Sequence, residues 1–320
     1  VVNFVKQTYM QTSNKQYYYQ FLEILAESAG ISALDYLDEM ISSYGLEEDG
    51  TKVILCNGEN LKFEITENLS VKVKNCNTNN YINLTDSNFS DSENALKFYG
   101  DLTYAIMEQI AKFKNAFELK RMWQPKIFVS NILYNPLLKK IASTLVFGAY
   151  EKGNFVKIVE LNEIENLEDN FKISLVHPCE LNSEELKNFA NKFEPFKQIN
   201  SQIFKPTNYD FSNSYSSVFN GVCVSDLTFN ARIKTFDYKM SIDDGVYYYK
   251  VLKQYNLLVK VDIVRSTRKN VSIVGNIEFY NLNLLEFVNN KYILLNAVPE
   301  QIGSISTRVY SLVLSQIYDV

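Results

Sequence analysis

The sequence predicts an α+β protein, and three observations carry that prediction. Apolar residues recur at three-and-four spacing in several stretches of the first half, the helical period. Elsewhere, from 52 to 84 and again beyond 217, apolar and polar residues alternate in short runs, the period of half-buried strands. Tight-turn pairs, Asn57-Gly58 and Asp244-Gly245, fall between alternating runs, where a hairpin needs positive φ. Together these divide the chain into three regions. Residues 1–95 read as N-terminal helices and a β-meander. Residues 96–212 read as central helices packed on a mixed sheet, and 213–320 as an antiparallel β region.

Taken in order, Tyr17 to Ala29 has helical spacing through Phe21, Leu22, Leu25 and Ala26, with Gly30 as its stop. Ser32 caps a second helix through Leu34, Leu37 and Met40, ending near Tyr44-Gly45. VILC, LKFEI, VKVKNC and YINL make the meander. Glu47 to Gly50 is an acidic turn that lacks the alternating ligand spacing of a calcium loop. After a polar stretch from Asp86 to Asn94, Leu102, Ile106, Ile110, Phe113 and Phe117 predict a long helix reaching Arg121-Met122-Trp123, stopped by Pro125. Asn135-Pro136 opens the next helix, since Asn is a good cap and Pro suits the first helical position; its apolar face is Leu137, Leu138 and Ile141. TLVFGAY, NFVKIVEL and FKISLVH read as strands of one sheet. Asn182 and Glu185 form a capping box for a helix from Ser183 to Phe193. Lys205 to Ser217 is poor in aliphatic residues and marks a boundary. GVCVSDLTF, VYYYKVLK, NLLVKVDIV, VSIVGNIEFY and KYILLNAV then read as strands, with a short closing helix between Ser304 and Tyr318.

The chain has 320 residues, 46% of them hydrophobic, enough for one large core or two medium ones. Lys plus Arg number 32 and Asp plus Glu 37, a net charge of -5, which argues against a general nucleic-acid binder. Charge is uneven: Lys112, Lys114, Lys120, Arg121, Lys126, Lys139 and Lys140 gather with one acid, Glu118, either a solvated helix side or a docking patch for phosphate or an acidic partner. Cys56, Cys76, Cys179 and Cys223 lie far apart without a CxxC pair, which fits reduced thiols in a cytoplasm. One histidine and scattered cysteines predict no metal site, and no cofactor is expected. No signal peptide and no apolar run of about 20 residues is visible, so no membrane is expected.

The candidate site centres on the only histidine, His177, at the end of an apolar run and pinned in an extended conformation by Pro178. An imidazole there suits general acid-base work, with Glu180 or Glu184 as the orienting acid, or equally a structural corner bond. Cys179 stands two residues on. Arg121 beside Trp123 offers a guanidinium and an indole, able to grip a phosphate or carboxylate, or else to end a helix and fill core. Gln198 offers an amide to a polar ligand or to buried backbone. Asp243 and Asp244 read as a turn. No GxSxG, GxxxxGK[ST] or GxGxxG is present, so neither a serine elbow nor a nucleotide cradle is indicated.

Several segments, in fixed order, carry a family likeness. ILAESAGISALDYLDEMISSYGLEEDG, FELKRMW, NPLLKKIASTLVFG, ISLVHPCEL, PFKQI and VYSLVLSQIYDV resemble the elements of a bacterial family catalogued as domain of unknown function 4132, found in proteins labelled molybdate metabolism regulators. His177, Pro178 and Leu181 match its His-Pro-x-x-Leu element, and Arg121 and Trp123 its Arg-x-Trp element. Phe147 and Phe189 stand where the family has Trp, Ser201 where Arg is common, and Leu312 where Glu follows Ser311. The resemblance implies a part in a multi-protein bacterial system, stress-related or defensive, with MoxR-type AAA ATPases and von Willebrand A proteins as partners. The expected function is a non-enzymatic interaction or regulatory module. The alternatives are an enzyme with a His177-centred cleft, and nucleic-acid or phosphate contact through residues 112–140.

Overall fold

In a computed structural model the chain is described at residues 23, 24, 26, 32–84, 93–182, 184–185, 212–242, 246–266, 271–288 and 291–320. The expected helix from 17 to 29, most of the helix after 183, the PFKQI element with Gln198, and the Asp243-Asp244-Gly245 turn lie wholly or mainly outside these residues. Contacts divide the chain into two compact units: Val1–Val176 with Asn188–Phe196, and His177–Lys187 with Lys197–Val320. The α+β class is as the sequence predicts.

In the first unit, Ser32 caps α1 (Ala33–Glu39), its Oγ accepting the Asp35 N–H at 3.1 Å. The meander is formed by β1 (Thr51–Cys56), β2 (Glu59–Ile65), β3 (Val71–Asn75) and β4 (Tyr81–Ile82), antiparallel and in chain order across the sheet. Asn57 and Gly58 turn β1 into β2 with φ of 50° and 83°, the left-handed geometry that Asn-Gly supplies at low cost. Leu61, Phe63, Ile65, Val71 and Val73 are buried on one face of the sheet. Against this unit's core lies α2 (Glu93–Glu118), which buries Leu102, Ala105, Ile106, Gln109, Phe113, Ala116 and Phe117, the three-and-four repeat read from the sequence.

This helix is shorter than its periodicity predicts. It ends at Glu118; Lys120 turns left-handed at φ 48°, and Trp123 pairs its backbone with Ile173, both bonds at 2.8 Å. The side chains of Arg121 and Trp123 have buried partners elsewhere, so the backbone leaves the helix before Pro125 compels it to. Pro125 instead opens α3 (Pro125–Phe128), continued by one wide turn, Val129–Leu133. Asn135 Oδ1 then accepts the N–H groups of Leu137 and Leu138 at 3.1 and 3.3 Å and caps α4 (Pro136–Ala142), with Leu137, Leu138 and Ile141 buried. The second sheet runs β6 (Asn154–Val159), β5 (Phe147–Glu151), β7 (Phe171–Leu175) and is antiparallel throughout, not the mixed sheet expected of this region, since Lys152-Gly153 turns β5 straight back into β6 with φ of 51° and 84°. Gly148 is needed there: a Cβ would lie 2.8 Å from both the Phe155 ring and Val176 Cγ2.

The second unit is built on β8 (Tyr215–Ser216), β9 (Cys223–Ser225), β10 (Lys239–Ser241), β11 (Tyr247–Leu252), β12 (Leu257–Ser266) and β13 (Val271–Asn281). Its order is β10-β11-β12-β13-β8, with β9 also on β13, all antiparallel. Between β9 and β10 lies α5 (Asp226–Thr235), a correction: GVCVSDLTF reads as one strand, yet only its Cys223–Ser225 part is extended. Phe229 and Ile233, four apart, bury on one side of this helix. A small hairpin, β14 (Glu286–Val288) and β15 (Lys291–Ile293), precedes the closing helix α6 (Thr307–Tyr318). Val309, Val313, Leu314 and Ile317 of α6 share a core with Phe229, Val259, Val261, Ile277 and Phe279.

Candidate functional site

His177 sits where the sequence places it, at the corner after β7. Its φ/ψ of -87°/137° is the extended conformation that a succeeding proline imposes. A single 3-10 turn, Pro178–Glu180, comes directly after it and is closed by a reciprocal cap. His177 Nδ1 accepts the Cys179 N–H at 3.2 Å, and Glu180 Oε2 accepts the His177 N–H at 2.8 Å. Asn182 then accepts from the N–H groups of Glu184 and Glu185 at 3.0 and 2.9 Å, while Glu185 Oε2 takes the Asn182 N–H at 2.9 Å, the capping box read from the sequence.

Two features of this corner escape a reading of the sequence. Glu180 binds the histidine's main chain, and the same Oε2 accepts from Arg308 Nη1 of α6 at 2.8 Å. The Arg308 and Glu180 side chains are 5% and 12% exposed, so this is a buried ion pair that ties the corner to the C-terminal helix. Cys179, half-buried, places Sγ 2.9 Å from His177 Nδ1, while the imidazole itself is only 2% exposed.

Arg121 and Trp123 come together in the first unit. The guanidinium lies 4.7 Å from the centre of the indole, and its Nη2 meets Asp35 at 2.9 Å and Asp38 at 2.7 Å. Trp123 is 1% exposed; its Nε1 donates to Asp38 at 3.2 Å, and Phe128 packs edge-on against it at 5.6 Å. Burial pushes the Asp38 carboxyl above its ordinary range, against the opposing pull of Arg121. The arginine fork is thus occupied by two carboxylates from α1. Asp35 and Asp38, three apart on one helix face, were the available signal for it. His177 and Glu180 belong to the other unit, and Gln198 lies outside the described residues.

Several residues of the basic stretch have local contacts. Lys112 pairs with Glu108 at 3.5 Å, and Lys126 with Asp169 at 2.9 Å. Lys120 donates to the Gly153 carbonyl at 3.0 Å and lies over Tyr150, and Lys140 packs its stem against Gly50. Among the described residues no cluster of three or more His, Cys, Asp or Glu could hold a metal ion, and no helix is long and apolar enough to cross a membrane.

The first sheet presents a different surface. β1 stands at the end of its strand order, and Val53 and Leu55 point outward, 54% and 70% exposed. Cross-strand pairing sets Val53, Lys62, Lys74 and Tyr81 in one row on one face, with Thr51, Glu64 and Lys72 beside it. Lys72 and Lys74 lie over the Tyr81 ring at 5.0 and 5.7 Å. An apolar edge therefore borders a lysine-bearing face.

The geometry describes an α+β protein with two internally ion-paired nodes and an exposed apolar sheet edge. Residues 88–238, a little under half of the chain, match the family model described as Domain of unknown function (DUF4132). The match covers α2, both nodes' central residues Arg121, Trp123, His177 and Glu180, and the first strands and helix of the second unit. No curated protein and no solved structure matches the chain significantly.

Proposed function

We propose that the chain is a protein-interaction module of a cytoplasmic multi-protein bacterial system, of the molybdate-metabolism-regulator-like kind, and that the β1 edge receives its partner. The observation that carries this reading is the outward pair Val53 and Leu55 on an edge strand. An edge strand with apolar side chains offers main-chain groups and alternate side-chain positions to an added strand. The occupant is an extended partner segment with apolar residues beside Val53 and Leu55 and a carboxylate toward Lys62 on the adjoining strand. The family resemblance supplies the partner classes, MoxR-type AAA ATPases and von Willebrand A proteins.

Calorimetric titration of the chain with each purified partner, at low and at raised salt, tests it. Binding that weakens with salt and is lost in Val53→Glu/Leu55→Glu supports the reading. Binding that the double substitution leaves unchanged removes the β1 edge from it, and no binding of either partner class removes the assembly.

A further inference from the structure

We propose that Cys179 is a modification site, a thiol activated by His177 for reaction with hydroperoxides and other soft electrophiles. This role is separate from docking at the β1 edge and would survive its loss. Sγ of Cys179 lies 2.9 Å from His177 Nδ1. That nitrogen also accepts the Cys179 backbone N–H at 3.2 Å, so its lone pair faces residue 179 and the ring proton of the neutral imidazole belongs on Nε2. A proton acceptor is therefore in place beside the thiol; proton transfer to Nδ1 displaces the longer Cys179 N–H contact and leaves a thiolate against an imidazolium.

The chain itself fixes this pairing. On a fully extended strand, residues two apart point the same way but have nothing to hold them together. Here the Pro178–Glu180 turn and its reciprocal cap close the two side chains onto each other. His177 is buried while Cys179 is partly exposed, an arrangement that shelters the base and leaves residue 179 open to a small reagent. The charged groups facing the pair among the described residues are Glu180 of the same turn and Arg308 of α6. They are paired at 2.8 Å, so their opposed effects on the imidazolium largely offset each other.

With a hydroperoxide the step balances without any further reactant. The thiolate attacks the terminal oxygen of ROOH, an S–O bond forms and the O–O bond breaks. Sulfur is oxidised by two electrons to the sulfenic acid, and the departing alkoxide takes the Nδ1 proton and leaves as ROH. With an alkyl halide the same thiolate displaces halide and forms a thioether.

The other cysteines supply the control. Cys76 and Cys223 are exposed, and Cys56 is buried. Exposure alone would rank Cys76 and Cys223 ahead of Cys179; activation by His177 ranks Cys179 first. The test is competitive labelling of the whole chain with substoichiometric iodoacetamide at neutral pH, and separately with cumene hydroperoxide and then a sulfenic-acid probe, mapped by peptide mass. Cys179 is expected to react roughly tenfold faster than Cys76 or Cys223, because an ordinary thiol is only a few per cent thiolate at that pH. His177→Asn keeps a side-chain acceptor for the Cys179 N–H but removes the base, and should bring Cys179 down to the exposed-thiol rate. On the unsubstituted protein, the Cys179 rate should level off at lower pH than the other two. Labelling of Cys76 or Cys223 first, or a Cys179 rate–pH profile that overlays theirs, overturns the proposal.

Discussion

The Arg308–Glu180 pair predicts a large and specific loss when either partner is neutralised. At 2.8 Å, and with an effective dielectric near 20, the Coulomb attraction is about 6 kcal/mol. Taking two charges out of water costs several kcal/mol each, so the intact pair gains little over an apolar pair of the same shape. Removing one partner is different, because the buried charge that remains keeps its desolvation cost without the attraction. The expected loss for Arg308→Met or for Glu180→Gln is about 3–5 kcal/mol. Gln at 180 retains an oxygen for the His177 N–H, so that substitution isolates the charge from the cap. The double variant should lose no more than either single one, a coupling of at least about 3 kcal/mol. The readout must come from the second unit, and the single Trp of the chain, Trp123, lies in the first. Hydrogen exchange of the α6 amides is therefore the assay, with protection expected to fall by roughly a hundredfold to a few thousandfold in each single variant. Additive losses in the double variant, or single losses below about 1 kcal/mol, would refute the argument that burial makes this pair costly to break.

In the first unit, Trp123 fluorescence in urea offers two further checks. Burial raises the Asp38 carboxyl in the folded state, so folding takes up a proton in the window just above the ordinary carboxylate value. The stability this contributes is present below the unfolded value and is lost as pH rises through the raised folded one. The protein should therefore lose stability relative to Asp38→Asn as pH is raised from about 4 toward neutrality; a relative gain over that range would reverse the sign and sink the reading. Gly148→Ala should cost about 1–3 kcal/mol, since the new methyl meets the Phe155 ring and Val176 at 2.8 Å; an unchanged urea midpoint would show that β5 and its neighbours can give way freely.

Much of the local fold is legible in the sequence, because its signals act over a few residues. Asn57-Gly58, Ser32, Asn135-Pro136, the His177-Pro178 corner and the Asn182–Glu185 box are each a residue type meeting a local backbone demand. Where the reading goes astray, a distant partner or a weak period is responsible. Arg121 and Trp123 extend the periodicity of α2, but Asp35, Asp38 and the backbone of Ile173 draw them out of it. In α5 only Phe229 and Ile233 are buried, too few to outweigh the alternation of the strand just before it.

The two ion-paired nodes each join residues far apart in the sequence. Arg308 lies in a helix whose residues from 308 to 317 are all buried, so no polar face is available to take the charge. A guanidinium so placed requires a carboxylate, and the one it meets lies 128 positions earlier in the chain. Arg121, beyond the end of α2, meets Asp38 across 83 positions. Glu180 binds the His177 main chain and Arg308, and the thiol of Cys179 lies 2.9 Å from His177 Nδ1. The Pro178–Glu180 turn is what brings the thiol against the imidazole, which is why the pair at 177 and 179 gains a reactive reading from the structure that its sequence spacing alone does not give.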